Sequence, residues 1–264
     1  MHEIEMHEVS EEFARCWQTA GQHLQTHIQG PLRSWLKANL IPPFLEHLSF
    51  RLGNQLFFLR IEDVDGQLQV PGSRKGLWTI AEGCKGYACL MPMRRRAGCW
   101  LADEAGWGLL DAETGRSIDP ITLVSEECIE MTDWELQDFA VQIVRDELQK
   151  SGRKLMSWHG NPAVDPSIWF VGDDGPEWIV VRAARYPQRM ANSPKNSEKI
   201  TENCAHIGKV GHFASVIVAN AKDAFDPTGV VPATPLWRGH ALTVSFEGLV
   251  ARPVGRAGSL DWAE

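Results

Sequence analysis

Ser167-Ile-Trp-Phe-Val171, then Glu177-Trp-Ile-Val-Val-Arg182, then Ile200-Thr-Glu-Asn-Cys204: these three runs decide how the chain is read. The first two are short, apolar and rich in β-formers, and Asp173-Asp-Gly-Pro176 between them is turn chemistry, so they read as a hairpin-like pair of strands. The third reads as a helix. The first half of the chain carries the same series: Leu48-Ser-Phe-Arg-Leu-Gly-Asn-Gln-Leu-Phe-Phe-Leu-Arg60, then Ile80-Ala-Glu-Gly-Cys84. The arginine that closes each pair precedes the cysteine by 24 positions in the first copy and 22 in the second. An apolar stretch follows each cysteine, at 88–91 and 213–219. Two copies of strand, strand, helix, strand predict an α/β (α+β) protein of two similar modules, each a small mixed sheet flanked by helices. The first is assigned to residues 1–125 and the second to 126–264.

Outward from these runs, Ser10 before Glu11 and Glu12 marks a helix start. Phe13, Cys16, Trp17, Ala20, Leu24 and Ile28 continue at helical spacing. Gly30-Pro31 breaks that helix, and Pro31 opens a short second one carrying Leu32, Trp35, Leu36 and Leu40. Gly53-Asn54 is the turn of a hairpin over 48–61. Residues 77–87 read as a weak helix, and 94–125 as a meander of short strands. In the second half, Thr132-Asp-Trp-Glu135 is a capping box. The helix behind it runs to about Lys150, with Leu136, Phe139, Ala140, Ile143 and Val144 on its apolar face. At roughly 100° per residue Glu147 falls in the middle of that arc. Strands at 154–158, 167–171 and 177–184, a helix around 198–206, a fully covered strand at 213–219 and one more strand at 241–246 complete the order.

Composition limits the function classes. With 44% hydrophobic and 23% charged residues the chain is an ordinary globular sequence. Its formal charge of −8 opposes indiscriminate nucleic-acid binding. Arg94-Arg-Arg96, with Arg74, Lys75 and Lys85, is the best local basic stripe. Six cysteines behind a polar, acidic N-terminus predict free thiols and a cytoplasmic setting. No apolar stretch approaches membrane-spanning length. Eleven tryptophans against two tyrosines predict half-buried seams or a groove.

The order helix, strand, strand, strand, helix, strand over about 132–220, with Asp165 ahead of the second strand and a basic residue on the third, resembles the PD-(D/E)XK nuclease-like (restriction-endonuclease-like) superfamily. The resemblance implies a divalent metal such as Mg²⁺, held by an acid on the first helix, the aspartate, and a Glu-x-Lys on the third strand. Carried over, Asp165 is the aspartate, Glu147 or Glu135 the helix acid, and Arg182 stands where the lysine would be. The metal ligands so implied are Asp165 and Glu147. Val180 occupies the position of the missing carboxylate, and an arginine is a poorer partner for activating water than a lysine. Glu177 has the wrong strand parity to share the face of Arg182 without a bulge. Lys195 and Lys199 are candidates for a displaced lysine.

Each candidate also has a plain structural explanation. Asp165 before Pro166 is turn chemistry, and a Glu147–Arg182 salt bridge would satisfy both residues, a reading preferred here over catalysis. Cys84, Cys89 and Cys99 lack a second metal-binding pair, and His206, His212 and His240 are scattered. The expected function is therefore a catalytically degenerate nuclease-like protein with an accessory or binding role. The alternatives are a protein-interaction module built on a tryptophan-rich seam (Trp100, Trp107, Trp158, Trp169, Trp237, Trp262) and a residual Mg²⁺-dependent nuclease.

Overall fold

A computed structural model describes residues 10–28, 36–37, 47–223, 225 and 233–252. The chain divides into two compact units, Met1–Glu130 and Met131–Glu264.

The first unit opens with α1 (Glu11–His27), whose first turn is closed by the Ser10 hydroxyl accepting from the Phe13 N–H at 3.1 Å. Glu11 and Glu12 sit at the positive end of the helix dipole. Its buried face, Phe13, Cys16, Trp17, Ala20 and Leu24, packs with Leu48, Phe50, Phe57, Leu59, Ile61, Met91 and Met93 from the sheet. The sheet runs β1 (Leu36–Lys37), β2 (Leu48–Leu52), β3 (Gln55–Asp63), β4 (Tyr87–Arg96), β5 (Cys99–Ala102), with β6 (Leu110–Asp111) also on β4. β3 and β4 are parallel and the other neighbours antiparallel. A parallel pair needs a crossover, supplied here by α2 (Arg74–Gly83), which buries Leu77 and Ala81. A single helical turn, α3 (Pro120–Leu123), follows β6.

In the second unit α4 (Asp133–Lys150) starts at the capping box: Thr132 Oγ1 accepts from the Glu135 N–H at 3.2 Å, and Glu135 accepts from the Thr132 N–H at 2.8 Å. The sheet order is β7 (Lys154–Trp158), β8 (Ile168–Val171), β9 (Pro176–Arg185), β10 (Val210–Asn220), β11 (Leu242–Phe246), with β12 (Val250–Arg252) also on β10. Again only the third and fourth strands, β9 and β10, are parallel, and α5 (Ser197–Cys204) joins them. Alternation along β9 sorts the two faces. Ile179 and Val181 pack with Leu136, Ala140, Val141 and Val144 of α4, while Trp178 and Val180 pack with Ile200 and Cys204 of α5.

Among the described residues, the two units thus share element order α-β-β-β-α-β-β-β, sheet order and strand polarity, with α3 added at the end of the first. Arg60 and Arg182 both lie on the third strand of their sheets, and Cys84 and Cys204 are both buried at the end of the crossover helix.

Two expectations need correction, and one strand is unexpected. Leu36–Lys37 is not helical: it pairs with Phe50 and Ser49 at the outer edge of β2, where strand pairing overrides the pattern of apolar residues. The rest of the helix expected over 31–40 lies outside the described residues. The weak helix at 77–87 begins earlier, at Arg74, and ends at Gly83, so that Tyr87 already opens β4. The unexpected strand is β12, whose three residues carry no alternation to mark it and are held by pairing with β10.

A clamped strand edge in the second unit

β9 is longer than β8. Their pairing ends at Ile168 and Ile179, with one further bond from the Ser167 N–H to the Ile179 carbonyl at 2.9 Å. Beyond it, the odd-numbered residues of β9 still point N–H and C=O groups towards an absent strand. Orphaned backbone groups are costly, so side chains take the place of the strand. Ser167 Oγ accepts from the Val181 N–H at 3.2 Å. The Gln137 amide donates to the Val181 carbonyl at 2.8 Å and accepts from the Ala183 N–H at 3.2 Å. Arg182 Nη1 adds a second bond to the Val181 carbonyl, at 2.8 Å.

Asp165 holds that arginine in place. Its two carboxylate oxygens accept from Arg182 Nη1 at 2.9 Å and Nη2 at 2.6 Å, and the side chains are only 13% and 20% exposed. Such a fork-to-fork pair is among the stronger ion-pair geometries. The carboxylate also lies close enough to Cys204 to help raise its thiol to about 11, behind burial as the main cause. Asp165 and Arg182 therefore sit on the α5 face of the sheet.

Glu147 is elsewhere. It lies on α4, which packs on the opposite face; its side chain is 51% exposed and it accepts from Lys150 at 2.6 Å. The expected Glu147–Arg182 bridge is replaced by Glu147–Lys150 and Asp165–Arg182. The reason is rotational. Gln137, Val141 and Leu148 are buried along with Leu136, Ala140 and Val144, which moves the centre of the covered arc by roughly 70° from the one expected at 100° per residue and leaves Glu147, in the last turn, towards its edge. Gln137 looked polar in the sequence but is 5% exposed, its amide fully used by β9. Glu135, the other helix acid, is committed to Arg238 by two bonds of 2.8 Å in a pair that is 9% and 1% exposed.

The remaining candidates separate as well. Glu177 pairs with His212 at 2.6 Å, and its strand registers show no bulge that would turn it towards Arg182. Lys195 and Lys199 are exposed. Among the described residues, no group of three or more His, Cys, Asp and Glu side chains is arranged to hold a metal ion.

The basic stripe in the first unit is largely neutralised. Arg94 bonds Asp103 at 2.6 and 3.1 Å and also reaches Asp65 at 3.1 Å. The bond to Arg94 holds Asp103 below the usual carboxylate range. Arg95 faces Glu12 at 3.4 Å, Arg96 faces Asp103 at 3.7 Å, and Arg74 bonds Glu62 at 2.7 and 2.8 Å. Of the tryptophans expected at a seam, Trp100 and Trp107 are buried within the first unit's core. Trp158, Trp169 and Trp237 are half-buried, and Trp262 lies outside the described residues.

A family described as a domain of unknown function (DUF8840) matches residues 134–251, which run from the first turn of α4 into β12. No curated protein and no solved structure matches the chain. No helix among the described residues is long and apolar enough to cross a membrane.

Proposed function

We propose that the chain is a catalytically degenerate nuclease-like protein that acts by binding, as an accessory to another protein, in the cytoplasm. One observation carries this reading: both oxygens of Asp165 are spent on Arg182, and the two helix acids that the resemblance offers, Glu147 and Glu135, are spent on Lys150 and Arg238. Metal-assisted phosphodiester hydrolysis needs oxygen ligands that converge on a cation. Here the candidate carboxylate instead fastens a guanidinium that completes a strand edge. The element order that raised the nuclease resemblance is kept in both units, which supports descent of the pair from one doubled module.

The partner is a protein rather than a nucleic acid on charge grounds. Net charge is −8, and the arginines of the basic stripe already face carboxylates. Incubating the full chain with plasmid DNA and with RNA, in Mg²⁺ and in Mn²⁺, tests the reading. It predicts no cleavage above that of the Asp165→Ala variant. Metal-dependent cleavage that Asp165→Ala abolishes would establish the residual nuclease instead.

A further inference from the structure

The last turns of α1 carry His23 and His27, one helical turn apart with ring centroids separated by 4.9 Å. Both are half-buried. His23 Nε2 lies 2.9 Å from the carbonyl oxygen of Gly106. A carbonyl only accepts, so Nε2 carries the proton, and the neutral ring keeps its lone pair on Nδ1. The His27 ring lies against the Trp107 indole at 5.1 Å. One short turn makes both contacts. Gly106 and Gly108 hold φ of +65° and +68°, and a Cβ on Gly108 would stand 3.3 Å from His23 Nε2.

We propose that His23 and His27 chelate a divalent transition-metal ion of the zinc class, with water completing its coordination. The spacing fits the ion: metal–nitrogen bonds of about 2.0–2.1 Å at a tetrahedral angle place two imidazole centroids about 5 Å apart. Histidines at i and i+4 on one helix face serve zinc in helical metalloprotease motifs. Imidazole suits zinc, nickel and copper. A carbonyl accepting from the far nitrogen of a ligating ring is the usual outer-shell partner, and Gly106 supplies it to His23. With two protein ligands, the site is open and exchangeable. This inference does not depend on how the second unit functions.

Calorimetric titration of the full chain with ZnCl₂ tests it, using His23→Gln, His27→Gln and, as control, the exposed His206→Gln. The expected result is a zinc-binding event weakened by at least about tenfold in the first two variants and unchanged in the third. It should also weaken at pH 5.5, where imidazoles protonate. In the unaltered protein, zinc should protect His23 and His27 from diethyl pyrocarbonate, read by mass spectrometry, which needs no variant to fold. Absence of zinc binding, or binding and protection indifferent to these two residues, would overturn the proposal.

Discussion

The Asp165 carboxylate grips the Arg182 guanidinium through both oxygens, at 2.9 and 2.6 Å, where β9 outruns its neighbour β8. The pair anchors a strand edge, and its loss should register as stability. Asp165→Ala and Arg182→Ala are each expected to cost about 3 kcal/mol, the low end for stripping one partner from a buried ion pair, since both side chains keep some exposure. The double variant should cost clearly less than the sum, because the two residues share one interaction. Urea unfolding checks this. A carboxylate retained for chemistry would show the opposite trend, with stability unchanged or raised on its removal.

The shared topology makes a prediction about glycines. Gly208 and Gly86 each precede the fourth strand of their sheet. A Cβ on Gly208 would stand 2.2 Å from the Pro176 carbonyl oxygen, and one on Gly86 would stand 2.9 Å from the Leu56 carbonyl oxygen and 2.8 Å from the Phe58 ring. Backbone cannot yield as a side chain can. Gly208→Ala should cost about 3 kcal/mol and Gly86→Ala about 1–2 kcal/mol, within the range for overpacking. Thermal unfolding of the two variants would show it, and no loss in either would separate the two settings.

Arg238 stands in the turn ahead of β11 and reaches α4 through Glu135, its side chain 1% exposed. Arg238→Ala strands a buried carboxylate that also closes the helix N-terminus, so a loss of about 3–5 kcal/mol is expected. Arg238→Met with Glu135→Gln should recover part of it, as an apolar or neutral replacement removes the unpaired charge. Denaturant midpoints of the single and double variants decide this.

The thiols give a pH dependence with a definite sign. Burial, as the first cause, pushes Cys16 and Cys89 up to about 12 and Cys204 to about 11, from an ordinary value of 9.0. The protonated thiol is the form the fold favours, so these groups add full stability below pH 9. That contribution fades as pH rises through 9 towards 11 and 12. Stability should therefore fall on the alkaline side. At pH 8, Cys99 and Cys128, which are exposed, should react with a thiol reagent in the native protein. Cys16, Cys89 and Cys204 should react only on unfolding, as peptide mapping would show.

Much of the architecture was legible because strand and crossover-helix signals are local. Gly53-Asn54 marked the first hairpin, Thr132 and Glu135 the start of α4, and the largely apolar run at 213–219 a strand covered on both sides. The site was less legible, since it depends on which side chains substitute for a missing strand. Gln137 and Ser167 are ordinary polar letters until β9 is seen to extend past β8. Glu147 sits in the arc that Leu136, Phe139, Ala140, Ile143 and Val144 define, but burial of Gln137, Val141 and Leu148 shifts the covered face away from it. The His23-x3-His27 spacing was present in the sequence all along, but only the turn at Gly106 distinguishes it from two surface histidines.

Calorimetric titration of the full chain with Mn²⁺, beside the Asp165→Ala variant, tests the reading of the second unit most directly. If Asp165 serves Arg182, the two proteins should give the same heats under Mn²⁺. A binding isotherm present in the unaltered chain and missing from Asp165→Ala would mean that the carboxylate is available to a cation, and the account of a clamped, non-catalytic edge would fail.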